Sequence, residues 1–149
     1  MTNKTKGNLF VVAQFALLAA LILIPSSQGT ITSTYVGGVL FIAPGLILLY
    51  LSVKNLGRSL TANPVPKDDA QLVETGVYKF VRHPIYSGLL LAALGTVVQS
   101  MDISKAVIWA TLFIVLNFKA TWEEKLLVKK YSTYTDYMKR TGRFVPRLK

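Results

Sequence analysis

From Gly7 to Val53 the chain carries no charged side chain. Such a stretch is too apolar to be solvated and too long for one membrane span, which needs roughly 20 residues. It divides itself. Leu9 to Ile24 is almost purely apolar, Pro25-Ser26-Ser27-Gln28-Gly29 is a turn signal, and Tyr35 to Val53 is apolar again. Two helices joined by a short hairpin loop fit it.

A third uncharged run goes from Pro84 to Met101 and a shorter fourth from Ala106 to Phe118. The fourth reaches full length only if Lys105 and Lys119 snorkel or face protein or water. It leaves room for one long helix running on into the Glu-rich segment. The expected fold is all-α and integral to a membrane, one domain over residues 1–149. Its four transmembrane helices fall at about 8–25, 35–53, 84–101 and 104–121, with a C-terminal helix at about 123–141. Lys4 and Lys6 ahead of an apolar core imitate a secretory signal, but no small-x-small cleavage pattern follows Ile24 and further spans do. An uncleaved first span is expected.

Composition agrees. Charged residues make up 16%, against roughly 25% in an ordinary soluble domain, and mean hydropathy is +0.43. The apolar content excludes disorder. The lack of Cys excludes disulfides, thiolate metal sites and a Cys nucleophile. A lone His gives no metal site. The net charge of +10 orients the chain instead of marking a nucleic-acid binder. With four spans, both termini and the loop from Lys54 to His83 share one side. Of the 17 basic residues only Lys105 falls on the other. The excess of Lys and Arg makes the crowded side cytoplasmic, with attraction to anionic lipid headgroups.

Chemistry-bearing residues collect on that side. Gly76-Val77-Tyr78-Lys79-Phe80-Val81-Arg82-His83-Pro84-Ile85-Tyr86-Ser87-Gly88 holds the only His, an Arg and two Tyr where the loop meets the third span. Pro84 suits the first turn of a helix, whose free N–H groups suit an anion. The local alternative is a helix start with interfacial anchors, Arg82 on headgroups. Lys119-Ala120-Thr121-Trp122-Glu123-Glu124-Lys125 is the second cluster. Lys119 and Glu123 share a helix face, and the local alternative is an ordinary ion pair in the wet interface. Gly88, Ala92, Ala93 and Gly95 permit close helix packing; Pro44 and Gly45 invite a kink in the second span. In the tail, Leu126, Leu127, Tyr131, Tyr134, Tyr137 and Met138 recur on one side of a helix that Gly142 ends. Phe144-Val145-Pro146 would then rest on the membrane surface.

Taken together, Leu72-Val73-x-x-Gly76-x-Tyr78-x-x-Val81-Arg82-His83-Pro84-x-Tyr86-x-Gly88, then Glu123-Glu124-x-x-Leu127 and Arg143-Phe144-x-Pro146-Arg147, resemble the isoprenylcysteine carboxyl methyltransferase family and the related phospholipid methyltransferases. The resemblance runs from about Leu56 to Leu148 and overrides both local alternatives. It implies an integral membrane enzyme that uses S-adenosyl-L-methionine without a Rossmann domain. By the same resemblance, Ala70, Gln71, Leu72, Val73, Tyr78, His83, Pro84, Ile85, Tyr86 and Glu123 hold the cofactor, and Asn63 falls near a further polar position. Where prenylcysteine enzymes carry an Arg four residues before the first Glu, this chain has Lys119, a point charge in place of a bidentate clamp.

The resemblance implies carboxyl O-methylation of an isoprenylcysteine-like acceptor, a small molecule or prenylated peptide entering from the bilayer. Lys119, with Arg82, would hold the acceptor's negative charge. A carboxylate needs no general base, whereas an amine would, with Glu124 or His83 as candidates. N-methylation of a phospholipid amine, or a four-span protein without catalysis, are the alternatives left open.

Overall fold

A computed structural model describes residues 2–25, 32–66 and 69–147. Ser26 to Gly29 of the expected hairpin loop lie outside the described residues. Five α-helices account for most of the chain: α1 (Asn3–Leu23), α2 (Thr32–Leu56), α3 (Pro84–Ser100), α4 (Ile103–Lys130) and α5 (Tyr134–Arg140). Among the described residues there is no strand, only a single parallel bridge between Val81 and Gly142.

α1, α2 and α4 are each long and apolar enough to cross a membrane. Their outward side chains are those a membrane would cover. Ile22 is 76% exposed and Leu40 69%, among many large apolar residues open on these helices. The protein is an integral membrane protein. α3, the third expected span, is the short helix. Its 17 residues reach only about 25 Å at 1.5 Å per residue. It sits against both α2 and α4.

The expected break between a fourth span and a C-terminal helix at 123 does not exist. α4 runs unbroken through Lys119, Glu123 and Glu124 to Lys130, because no Gly or Pro interrupts it and its residues favour helix. The chain turns at Tyr131 to Thr133 instead, and α5 follows. α2 likewise continues through Pro44.

α2 and α3 make the tightest contact. A methyl group on Gly45 would lie 2.5 Å from the Ala92 nitrogen, and one on Gly88 2.8 Å from the Gly45 carbonyl. The two backbones therefore touch, as small residues allow. α1 rests on α4, with a lesser contact to α3. Leu21, Tyr86, Leu90, Leu112, Leu116 and Ala120 form the buried cluster among these three helices. α1 and α2 make little contact with each other among the described residues.

Beyond the helices, the tail folds back. Arg82 N donates to the Gly142 carbonyl at 2.9 Å, His83 N to that of Arg143 at 3.1 Å, and Gly142 N to that of Phe80 at 3.2 Å. Phe144 does not rest on the surface as expected. It packs edge-on against His83, Tyr86 and Phe113, because its backbone is drawn in by this pairing and by Ser87 Oγ, which donates to the Phe144 carbonyl at 2.6 Å. Val145 and Pro146 of the trio are left open.

Candidate functional site

A cavity of about 400 Å³ lies where the loop, the start of α3 and the end of α4 converge. Its floor comes from α3 and α4: Tyr86, Leu89, Lys119, Glu123 and Leu127. Its roof is the segment Ala70 to Val73, held from two sides. Tyr131 Oη donates to the Ala70 carbonyl at 2.5 Å, and Ser59 Oγ to that of Gln71 at 3.2 Å. Gly76, at φ +60°, opens the short 3-10 turn Gly76–Lys79. Asn55 at the end of α2 accepts from Val77 N at 3.4 Å, and the turn carries Tyr78 into the wall. Burial, with Glu123 nearby, pushes the Tyr78 phenol well above its usual range, so it stays protonated. The Tyr78 carbonyl accepts from Tyr137 Oη at 2.6 Å.

His83 ends the loop and Pro84 opens α3, as the missing N–H of proline favours. The His83 ring stacks on Tyr86, 5.2 Å between centroids and 2° from parallel. Tyr86 Oη donates to Glu123 Oε2 at 2.7 Å, and His83 Nδ1 lies 3.7 Å from the same oxygen. The Glu123 side chain keeps 22% of its surface open and lines the cavity.

Glu124 behaves differently although it is the next residue. Its side chain is 4% exposed and is absent from the cavity wall. Oε1 accepts from Arg82 Nε at 2.9 Å and faces His83 Nε2 at 3.2 Å. Oε2 accepts from Arg143 at 2.6 Å. Arg143 also donates to Asn117 and Thr121 on the same face of α4, at 2.9 and 3.0 Å. Arg82 gives its remaining bonds to the Met138 and Thr141 carbonyls, at 3.1 and 2.5 Å. Its guanidinium ties the start of α3 to the end of α5.

Lys119 does not pair with Glu123, four residues on. Its ammonium donates to Gln14 Oε1 on α1 at 2.7 Å and stands 5.0 Å from the centre of the Tyr86 ring. Among the described residues no carboxylate lies within 4 Å of it.

Of the residues singled out from sequence, the fold brings Ala70, Gln71, Leu72, Val73, Tyr78, Arg82, His83, Ile85, Tyr86, Lys119 and Glu123 to one cavity. Pro84 and Glu124 stand behind the wall. Asn63 lies apart, donating to Asn8 Oδ1 at 2.7 Å and fastening the loop to α1. Gln14, Tyr131, Tyr134 and Tyr137 also line the cavity, and sequence reasoning gave them no part in the site. A signal existed for Gln14: it is the lone polar residue between Leu9 and Ile24, and polar groups inside a span are usually used. A second hollow, on the outer face between α1 and α4, holds none of the candidate residues.

A model of the phospholipid methyltransferase family matches residues 33–134. The chain belongs to that family. It is an integral membrane methyltransferase. The match takes in the strap from Ala70 to Val73 that roofs the cavity, the His83 turn and both glutamates. The chain is 28% identical to a rice protein (Oryza sativa subsp. indica) named "Probable protein-S-isoprenylcysteine O-methyltransferase", across 97% of this chain and 82% of the relative. It is 32% identical to protein-S-isoprenylcysteine O-methyltransferase B of Arabidopsis thaliana, across 73% of this chain and 57% of the relative. It is also 32% identical to the nickel-cobalt-cadmium resistance protein NccN of Alcaligenes xylosoxydans xylosoxydans, across 68% and 48%. Similarity thus reaches proteins named for different roles.

Proposed function

We propose that this protein transfers a methyl group from S-adenosyl-L-methionine to the carboxylate of a lipophilic, isoprenylcysteine-like acceptor at the cytoplasmic face of a membrane. The observation that carries the reading is Lys119: a cation 1% exposed, in a cavity wall, with no carboxylate in ion-pair range among the described residues. Buried charge is costly unless compensated, and an anionic acceptor compensates it.

The cavity also suits the donor. Its volume is in the roughly 300–1,000 Å³ range of small-molecule sites. Glu123 offers a partly open carboxylate to an ammonium group. Tyr78 and Tyr86 offer ring faces to a cation, each worth on the order of 0.5–2 kcal/mol, and the strap from Ala70 to Val73 offers a covering for an adenine. When bound, the donor supplies an electrophilic methyl group on sulfur. The chain's own part is to position. Tyr86 Oη and the His83 stack fix Glu123. The Glu124 network fixes His83. No proton need be taken from a carboxylate, so no group here has to act as base. Lys119 meets the acceptor while it is charged. That charge fades as the ester forms, so the lysine favours binding more than the transition state.

Phe15 on α1, Leu49 and Val53 on α2 and Leu89 on α3 line the same cavity. The lipophilic part of the acceptor would enter there from the bilayer, and the donor from the basic side.

Calorimetric titration of the detergent-purified protein with S-adenosylhomocysteine tests the donor. Saturable binding is expected, reduced by more than about tenfold in Glu123→Ala, which loses a charged partner. Equal binding by the variant removes Glu123 from the site. Methyl product formed on a prenylcysteine and released as methanol by base supports the ester. A base-stable N-methyl product would overturn the carboxylate reading in favour of an amine.

A further inference from the structure

We infer that Gln14 and Lys119 together form a two-point seat for the acceptor's carboxylate, with the amide of Gln14 supplying the second donor. The inference rests on the methyltransferase reading and sharpens it. Gln14 lies on α1, outside the part of the chain that the family match covers.

The chemistry of the pair fixes its orientation. A lysine ammonium carries three donors and no acceptor, so an amide beside it must turn its oxygen to the cation. It does so: Lys119 Nζ donates to Gln14 Oε1 at 2.7 Å. With that oxygen committed, the group Gln14 has left for a ligand is its NH2. Lys119 keeps donors of its own after meeting Gln14. Both residues line the cavity, and both are nearly buried, at 6% and 1% exposed. Two donor groups, one from α1 and one from α4, can then take the two oxygens of one carboxylate. They do by combination what a guanidinium does with one planar fork.

The placement accounts for the cost of the arrangement. A glutamine within an otherwise apolar span is unfavourable unless partnered. Holding Lys119 engages its oxygen, and the NH2 is the donor Gln14 has left to give. A carboxylate can take it, and the neighbouring Phe15, Val53 and Leu89 suit the hydrocarbon that such an acceptor would carry. The methyl ester has no anionic oxygen to offer, so the same seat holds acceptor better than product.

The test compares S-farnesylated N-acetylcysteine with its methyl ester. Each is bound to the full-length protein in detergent with S-adenosylhomocysteine present, by displacement of the radiolabelled acid. The wild type is expected to prefer the acid by about tenfold or more, as for charged hydrogen bonds. Gln14→Glu keeps the size of the side chain but sets a carboxylate against Lys119, and is expected to erase the preference. Gln14→Leu should lie between, and an unfolding temperature in detergent near the wild-type value shows that both variants are folded. An undiminished preference in Gln14→Glu overturns the inference. So does a wild type that binds the acid no better than the ester; if S-adenosylhomocysteine still binds, the methyltransferase reading then stands with another acceptor. Loss of S-adenosylhomocysteine binding in folded wild type would instead count against the methyltransferase reading, while the acid-to-ester ratio still decides the inference.

Discussion

Glu123 and Glu124 are chemically identical neighbours on α4 with opposite surroundings. Glu124 is enclosed by Arg82, His83 and Arg143 and shut away from the cavity. Glu123, about 100° further round the helix, meets one phenol and keeps part of its surface open to the cavity. One face of the helix is a fastening and the other a binding surface. The fastening joins three segments far apart in sequence: the entry to α3, the end of α4 and the tail after α5. A binding surface can be left under-satisfied only if its neighbours are held, and Glu124 holds them. Adjacent carboxylates in a sequence are thus no evidence of shared work.

The largest effect expected from breaking this contrast is in Glu124→Ala. Removing one member of a buried ion network leaves the others unpaired and costs about 3–5 kcal/mol, read as a large fall in the unfolding temperature in detergent. Glu123→Ala should leave that temperature near the wild-type value while losing S-adenosylhomocysteine. If the two variants unfold alike, the division between the faces is wrong.

A finer cut is Tyr86→Phe, which keeps the ring against His83 but removes the bond to Glu123. Affinity for S-adenosylhomocysteine should fall by a few-fold, the scale of one hydrogen bond of about 0.5–1.5 kcal/mol. No change would mean that Glu123 is positioned without the phenol. The smallest effect belongs to Asp136→Ala. Its pairing with Lys139 at 2.8 Å is between side chains 74% and 72% exposed, and such pairs contribute little or nothing. A measurable loss of stability there would weaken the distinction between enclosed and open charge.

Much of this was legible in the sequence for physical reasons. Charge-free runs cannot be solvated, so the helices at the N-terminus and in α4 follow from composition. His83-Pro84 marks a helix start because proline lacks an N–H, and α3 begins there. The strap, the turn and the first glutamate were legible as a motif, and the fold brings them to one cavity. Spacing along a helix, by contrast, says less about partners and breaks. Lys119 and Glu123 are four apart and suited to pair, yet Lys119 takes a partner on α1, 105 residues away. The recurrence of Tyr131, Tyr134 and Tyr137 suggested one continuous helix, whereas the chain turns at Tyr131 to Thr133 and the three rings still face the cavity.

Sequence by itself determined that this chain is a helical membrane protein, that its motif residues lie at one end of the helices, and that the end is basic. These depend on side-chain type and order along the chain. Only the tertiary structure decided which carboxylate is enclosed, that Arg82 and Arg143 converge on it, and that Lys119 stands beside Gln14. Those facts depend on which helices pack together. Packing is set by shape, as where Gly45 and Gly88 let α2 and α3 touch, and a linear pattern of charge and hydropathy carries no record of it.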